Sequence, residues 1–278
     1  MTTLTLPALP TTTVAERGSR GSLLRRFGTL ARAETTILLR NKTAAFTAIV
    51  MPLFIGLAFG GIGLSDPAIL GLALTSGLVS MSLLFVIYFT MVTSLVGRRE
   101  QLVLKRLYAG EPTALEILLA PAVPLWILLV IQSTIAISAA TLALGTPVAH
   151  PWALALAVLG GAGTWTGLAI WSATWTRSVE SAQLTTLPLM LVAIGLSGLM
   201  LPLEFLPRAV QHVAHVLPMT PVIDLIQLAY LGVGTDGALV GAVPDALLAA
   251  AGMIVPLVVW SAFGIWTGLR NFRWDSRS

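Results

Sequence analysis

The sequence predicts an all-α integral membrane protein with six transmembrane helices, and three observations predict it: an apolar composition, six long uncharged runs, and a one-sided distribution of cations. Apolar residues make up 56% of the 278 and charged residues only 10%, with a mean hydropathy of +0.89. A soluble domain carries about 25% charged residues, so this chain is solvated by lipid. A hydrocarbon core about 30 Å thick takes about 20 helical residues to cross. Runs of that length fall at about 43–64, 68–96, 117–145, 152–175, 183–203 and 245–269, with charge only at their ends.

Threading these runs through a membrane with both termini on one side puts fifteen of the sixteen Lys and Arg residues on that side. They are Arg17, Arg20, Arg25, Arg26, Arg32, Arg40 and Lys42 before the first run, Arg98, Arg99, Lys105 and Arg106 between the second and third, Arg177 between the fourth and fifth, and Arg270, Arg273 and Arg277 after the sixth. Only Arg208 falls opposite. The positive-inside rule therefore assigns both termini and the loops 97–116 and 176–182 to the cytoplasm. The pI of about 10.1 reports this topology and not a nucleic-acid surface, which would need aromatic or polar readers on a soluble face.

In chain order, residues 1–21 open with a stretch rich in Thr and Pro that lacks the apolar core of a signal peptide, and they read as a disordered cytoplasmic tail. Residues 22–42, SLLRRFGTLARAETTILLRNK, set Leu23, Leu24, Phe27, Leu30, Ile37 and Leu38 among arginines at roughly helical spacing, as in a helix lying in an anionic interface. The transmembrane domain is predicted over 22–270 and a second short cytoplasmic tail over 271–278.

The run interiors contain no ionisable side chain, which disfavours coupling to protons or sodium, since those pathways keep such groups inside the bilayer. Their polar content includes Ser76, Ser80, Ser82, Thr90, Thr93 and Ser94 in the second run, Gln132, Ser133 and Thr134 in the third, and Thr164 and Thr166 in the fourth. Helix packing through small residues is one reading of these, substrate contact the other. Trp152, Trp171, Trp175, Trp266 and Trp274 sit where interfacial anchors belong, whereas Trp126 and Trp165 lie deeper and, with Gln132, are candidates to line a pathway. No HExxH, GxSxG or Asp-rich motif occurs, and no catalytic residue is expected. The chain has no cysteine, so no disulfide or thiolate chemistry is available. Neither lysine follows a glycine, so there is no phosphate-cradling Gly-Lys-Ser/Thr loop, and any energy for transport must come from another polypeptide.

Residues 97–119, GRREQLVLKRLYAGEPTALEILL, carry Leu102, Leu104, Leu107 and Tyr108 as an imperfect apolar stripe on a short charged helix ended by Gly110 and Pro112. Glu116 then opens the third run at the positive end of its dipole. A helix of this kind suits a protein partner, and equally a solvated connector whose charges enforce topology. Residues 195–232, GLSGLMLPLEFLPRAVQHVAHVLPMTPVIDLIQLAYLG, are cut by Pro202, Pro207, Pro218 and Pro221 into apolar pieces of about ten residues, too short to span. They read as a re-entrant hairpin at the outer face, with Gly198 close-packed beside it. Glu204 and Asp224 cap its short helices or line an exit path. His212 and His215 have metal-like spacing but lack an evident third ligand, so no metal site is expected.

The RRE, VLKRL and LEILL elements, with the SG...LP..FLP......LP.TP..DL.....G pattern of 197–232, resemble the membrane subunits of ATP-binding-cassette type-2 exporters, such as the daunorubicin-type drug permeases and the polysaccharide permeases. The resemblance covers about 22–270. It implies that 22–42 is an amphipathic elbow helix and that the 97–119 loop ends in a helix docking on an ATPase, with Glu100, Lys105, Arg106 and Glu116 matching the coupling pattern. Two departures stand out: Leu102 occupies a position where Gly is usual, and Pro112 comes one residue late. The resemblance further implies a homodimer or heterodimer of permeases joined to two copies of an ATPase that binds ATP and Mg, with no cofactor and no nucleic acid on this chain. It also implies a bacterial cell-membrane location among lipids, and export of a small hydrophobic or amphipathic cargo such as a drug, antibiotic or lipid-linked molecule.

Overall fold

The computed structural model describes residues 66–200, 203–234, 237, 239, 240 and 243–275, together with isolated positions between 28 and 58. The expected tail 1–21, elbow helix 22–42, first span 43–64, Pro202 and the last three residues lie outside the described residues, apart from those isolated positions, which are helical. There the Thr36 hydroxyl donates to the Arg32 carbonyl at 3.0 Å.

Among the described residues the architecture is all helical, with one isolated antiparallel bridge between Val233 and Leu239. Helix α1 (Pro67–Met81) begins on a proline, whose missing N–H costs nothing at a helix start. It passes into a π-helical segment, Ser82–Phe89, and resumes as α2 (Thr90–Glu100), so that 69–100 form one span of 32 residues. A π segment of this length departs from the usual single-turn bulge. It is buried through Ser82, Leu83, Leu84, Val86, Ile87 and Tyr88, and the Thr90 hydroxyl supports its last turn by donating to the Phe85 carbonyl at 2.8 Å.

After a corner come α3 (Val103–Tyr108), α4 (Ala114–Leu119) and α5 (Ala122–Ser138); α4, α5 and a closing π turn make a second span of 30 residues, 114–143. Helix α6 (Pro151–Trp175) is a third span, the most deeply buried of the four, and α10 (Val243–Asn271), 29 residues long, is the fourth. Helix α7 (Val179–Gly195) is apolar but only 17 residues long, and starts on a reciprocal Ser178–Ser181 capping box. The fifth predicted run, 183–203, is therefore shorter as a helix than the run of apolar residues. The sequence from 196 leaves the helix through Gly198, whose φ of +84° is open to glycine and strained for other residues.

The packing centres on α6. Its GxxxG motif, Gly163 to Gly167, meets a second on α10, Gly264 to Gly268, and a side-chain carbon added at Gly264 would lie 2.3 Å from the Gly167 carbonyl carbon. Contact this close brings backbones together, the arrangement that drives helix association where lipid removes the hydrophobic incentive. The Thr164 hydroxyl adds a bond to the Leu257 carbonyl at 2.8 Å.

Helices α8 (Arg208–Val216) and α9 (Thr220–Leu231) form a pair bent by 91°. Helix α8 is strongly amphipathic and largely exposed. Helix α9 is buried against α6, α10 and α1, and its Tyr230 hydroxyl shares a hydrogen bond with Thr75 of α1 at 2.9 Å. It ends on Gly232 in the left-handed conformation at φ +62°.

Candidate docking surface at the basic end

One end of the bundle carries Arg98, Lys105, Arg106, Arg177, Arg270 and Arg273, and its geometry is set by the corner between α2 and α3. The chain turns there through Leu102, whose φ of +58° and ψ of +16° make it the one non-glycine residue with positive φ among those described. The resemblance implies glycine at this position, and the left-handed backbone found here is the conformation glycine adopts without strain, so the leucine carries that strain. Leu104 of α3 is fully buried and roots the helix in the core, while Lys105, Arg106 and Tyr108 stay exposed. Glu100, the last residue of α2, is exposed on the same corner.

Glu116 has a local role. Its carboxylate accepts from the Thr113 amide at 2.7 Å and from the Thr113 hydroxyl at 3.0 Å, and its own amide donates to that hydroxyl at 3.3 Å, a capping box that starts α4. Lys105 is engaged as well, its Nζ lying 2.5 Å from Oδ1 of Asp275. Of the four residues matching the coupling pattern, Glu100 and Arg106 present their charges most openly.

Arg99 was grouped by sequence with the cations that enforce topology, and the structure gives it a different place. Its side chain is fully buried. The guanidinium donates to the carbonyls of Ala173, at 2.8 Å, of Thr176, and of Arg177, at 3.4 Å, where α6 ends and the link to α7 begins. A cation at a helix carboxyl terminus meets the negative end of the dipole and the last unpaired carbonyls together. The planar fork of arginine suits several carbonyls at once. Burial of one arginine in a run of two is not visible in composition, because only the fold decides which of them turns inward.

The three candidates for a pathway lining are packed among helices of this chain. Trp165 is fully buried, edge-on to Tyr88 with ring centroids 5.3 Å apart. Trp126, half-buried, donates to the Thr166 hydroxyl at 2.9 Å, and Gln132 Oε1 accepts from the Ser82 hydroxyl at 2.7 Å. The Tyr88 and Ser172 hydroxyls are 2.9 Å apart. These pairs tie α5 and α6 to the span that contains the π segment.

Between α7 and α10, Pro207 precedes α8, buried Pro218 lies in the bend at the level of Trp260 midway along α10, and Pro221 starts α9, each at a position where a helix begins or breaks. Asp224 does not cap α9. It lies past the first turn, and its carboxylate faces Nδ1 of His215 across the bend at 3.8 Å. The Thr220 hydroxyl bonds back to the Ala214 carbonyl at 2.6 Å, and Trp260 of α10 donates to the Val216 carbonyl at 2.8 Å. Glu204 falls in a single 3₁₀ turn, Leu203–Phe205. The backbone here is a tightly satisfied bend.

Comparison with curated proteins and with solved structures returned no match. The sequence does match the family described as ABC-2 type transporter over residues 25–231, well over half of its length and inclusive of the α2–α3 corner, Arg99 and the α8–α9 bend, and on that match the chain belongs to the ABC-2 type transporter family.

Proposed function

We propose that the chain is the membrane-spanning permease of an ATP-binding-cassette exporter, acting as a homodimer or heterodimer with two copies of a separate ATPase in a bacterial cell membrane. The observation that carries this reading is the α2–α3 corner: a short helix rooted by buried Leu104 but exposing Glu100, Arg106 and the Lys105 ammonium at the basic end. A helix that is firmly seated and openly charged suits a soluble partner, and ATP closure of that partner would act on the spans through it. Both termini and the basic end lie in the cytoplasm on this reading, α8 and α9 form a re-entrant gate around Gly198, Pro207, Pro218, Pro221 and Asp224, and the path runs at the interface between permeases. Span interiors without ionisable groups suit a hydrophobic or amphipathic cargo such as a drug, antibiotic or lipid-linked molecule.

The test is co-purification with a cognate ATP-binding-cassette ATPase co-expressed with the permease. Exposed ion pairs contribute about 0 to 1 kcal/mol each, so single changes are mild and the triple reversal Glu100→Lys, Lys105→Glu, Arg106→Glu is the decisive variant. It should insert normally and retain less than about a fifth of the bound ATPase, a loss of the size that three such pairs produce. Full ATPase binding and undiminished ATP-dependent efflux of a hydrophobic dye by the triple variant would refute the docking role.

A further inference from the structure

The residues after α10 read in sequence as a short cytoplasmic tail with Trp274 as an interfacial anchor, and in the structure the segment Phe272–Asp275 folds back onto α3. Phe272 is 7% exposed, and its amide donates to the Gly268 carbonyl at 2.9 Å, so the turn out of α10 is anchored in the core. Trp274 stacks on Tyr108 of α3, with ring centroids 4.3 Å apart and planes at 15°, and meets Phe272 edge-on at 5.1 Å. Asp275 completes the contact through Lys105. The ion pair is solvent-exposed and weak on its own. The aromatic stack, seated on buried Phe272, supplies the attachment, and the ion pair sets its register.

A six-residue helix has too few internal hydrogen bonds to hold its own shape or direction. Held only by the Leu102 corner and by buried Leu104 just beyond it, α3 would answer a push by pivoting there. The structure gives it two further moorings. Arg99, just before the corner, grips the carboxyl end of α6, and Trp274 with Asp275 grips α3 from the end of α10. Helices α6 and α10 are themselves in backbone contact through their glycines. Both moorings therefore lead to the same packed pair.

We propose that Phe272–Asp275 is a coupling strap: Trp274 and Asp275 are positioning residues that make α3 and the inner end of α10 move together. The proposal rests on the reading of α3 as the ATPase-docking helix for its consequence, though not for the attachment itself.

The experiment is hydrogen–deuterium exchange on the full-length chain in nanodiscs, first alone and then with the co-purified ATPase bound, with and without ATP plus vanadate. In the chain alone, Trp274→Ala and Asp275→Lys should speed exchange of the 103–110 amides, by about fivefold to tenfold for Trp274→Ala, the scale of a lost aromatic pair. Trp274→Phe and the swap K105D/D275K should keep most of the protection, and exchange across α6 should be unchanged in all four, showing that the fold is intact. Unaltered α3 exchange in Trp274→Ala would overturn the strap whatever the ATPase does. In the complex, ATP plus vanadate should change exchange at the inner end of α10 in the parent chain, and this response should vanish in Trp274→Ala while ATPase remains bound. A persisting α10 response in that variant would overturn the transmission role. Exchange at α3 that is indifferent to the ATPase in the parent chain would instead sink the docking assignment and leave the attachment standing.

Discussion

Leu102 holds a backbone angle that glycine would suit better. A side chain in the left-handed region costs about 1 to 2 kcal/mol, and Leu102 is 38% exposed, so it recovers only part of that by burial. Leu102→Gly should therefore leave the corner in place and raise stability by about 0.5 to 1 kcal/mol after glycine's larger entropy loss, read as a higher midpoint of denaturation in detergent. A fall in the midpoint would mean that Leu102 contributes packing that outweighs its strain. The resemblance marks Leu102 as a departure, but the dihedral angle that makes the position special is displayed only by the fold. Arg99 and its neighbour Arg98 make the same point about charge. Sequence groups both with the cations found at one end of the bundle, and three carbonyls at the end of α6 engage Arg99.

At the scale of elements, hydropathy located the long helices closely. The predicted runs 68–96, 117–145, 152–175 and 245–269 correspond to helices over 69–100, 114–143, 151–175 and 243–271. What hydropathy lacks is rotation about the helix axis, and hence knowledge of which faces meet. The paired GxxxG motifs of α6 and α10 were the available signal for that, since small residues four apart mark close approach. Gly264→Leu should separate the two helices, because the new side chain would begin 2.3 Å from backbone. A loss of about 1 to 3 kcal/mol is expected, the usual range for overpacking, measured by unfolding in SDS–detergent mixtures. Gly252, on the same helix with nothing within 4 Å of an added carbon, is the control, and Gly252→Leu should cost far less. Equal effects at the two sites would show that helix propensity and not the α6 contact governs α10. The π segment had no sequence signal, because its composition is that of any apolar helix and its hydrogen-bond shift is a property of the fold.

For the whole molecule, the cation distribution carries the most information, since it orients every element at once. Single cysteines report it without background, as the chain has none of its own. Gln101→Cys, on the exposed corner, should resist an impermeant thiol reagent in intact cells and react after permeabilisation. Ala209→Cys, exposed at the start of α8, should react in intact cells. Reaction of Gln101→Cys from outside would invert the topology and remove the corner from any cytoplasmic partner. The α8–α9 bend was legible as an interruption, from its prolines, but not as a structure. Which piece lies inside the bundle and which outside depends on the partners that α9 finds on α1, α6 and α10.

The glycine contact between α6 and α10 also limits how this chain can change over generations. Most buried positions can drift in pairs, one side chain growing as its neighbour shrinks. Gly167 and Gly264 have no such exchange open to them, because each already carries the smallest residue and the atoms that meet belong to the main chain. A gain on either side has no trimming to offset it, and its only remedy is a wider spacing along two whole helices. The site is thus a ratchet on variation: readily spoiled by one substitution, and repaired only by reversion or by moving two whole helices apart.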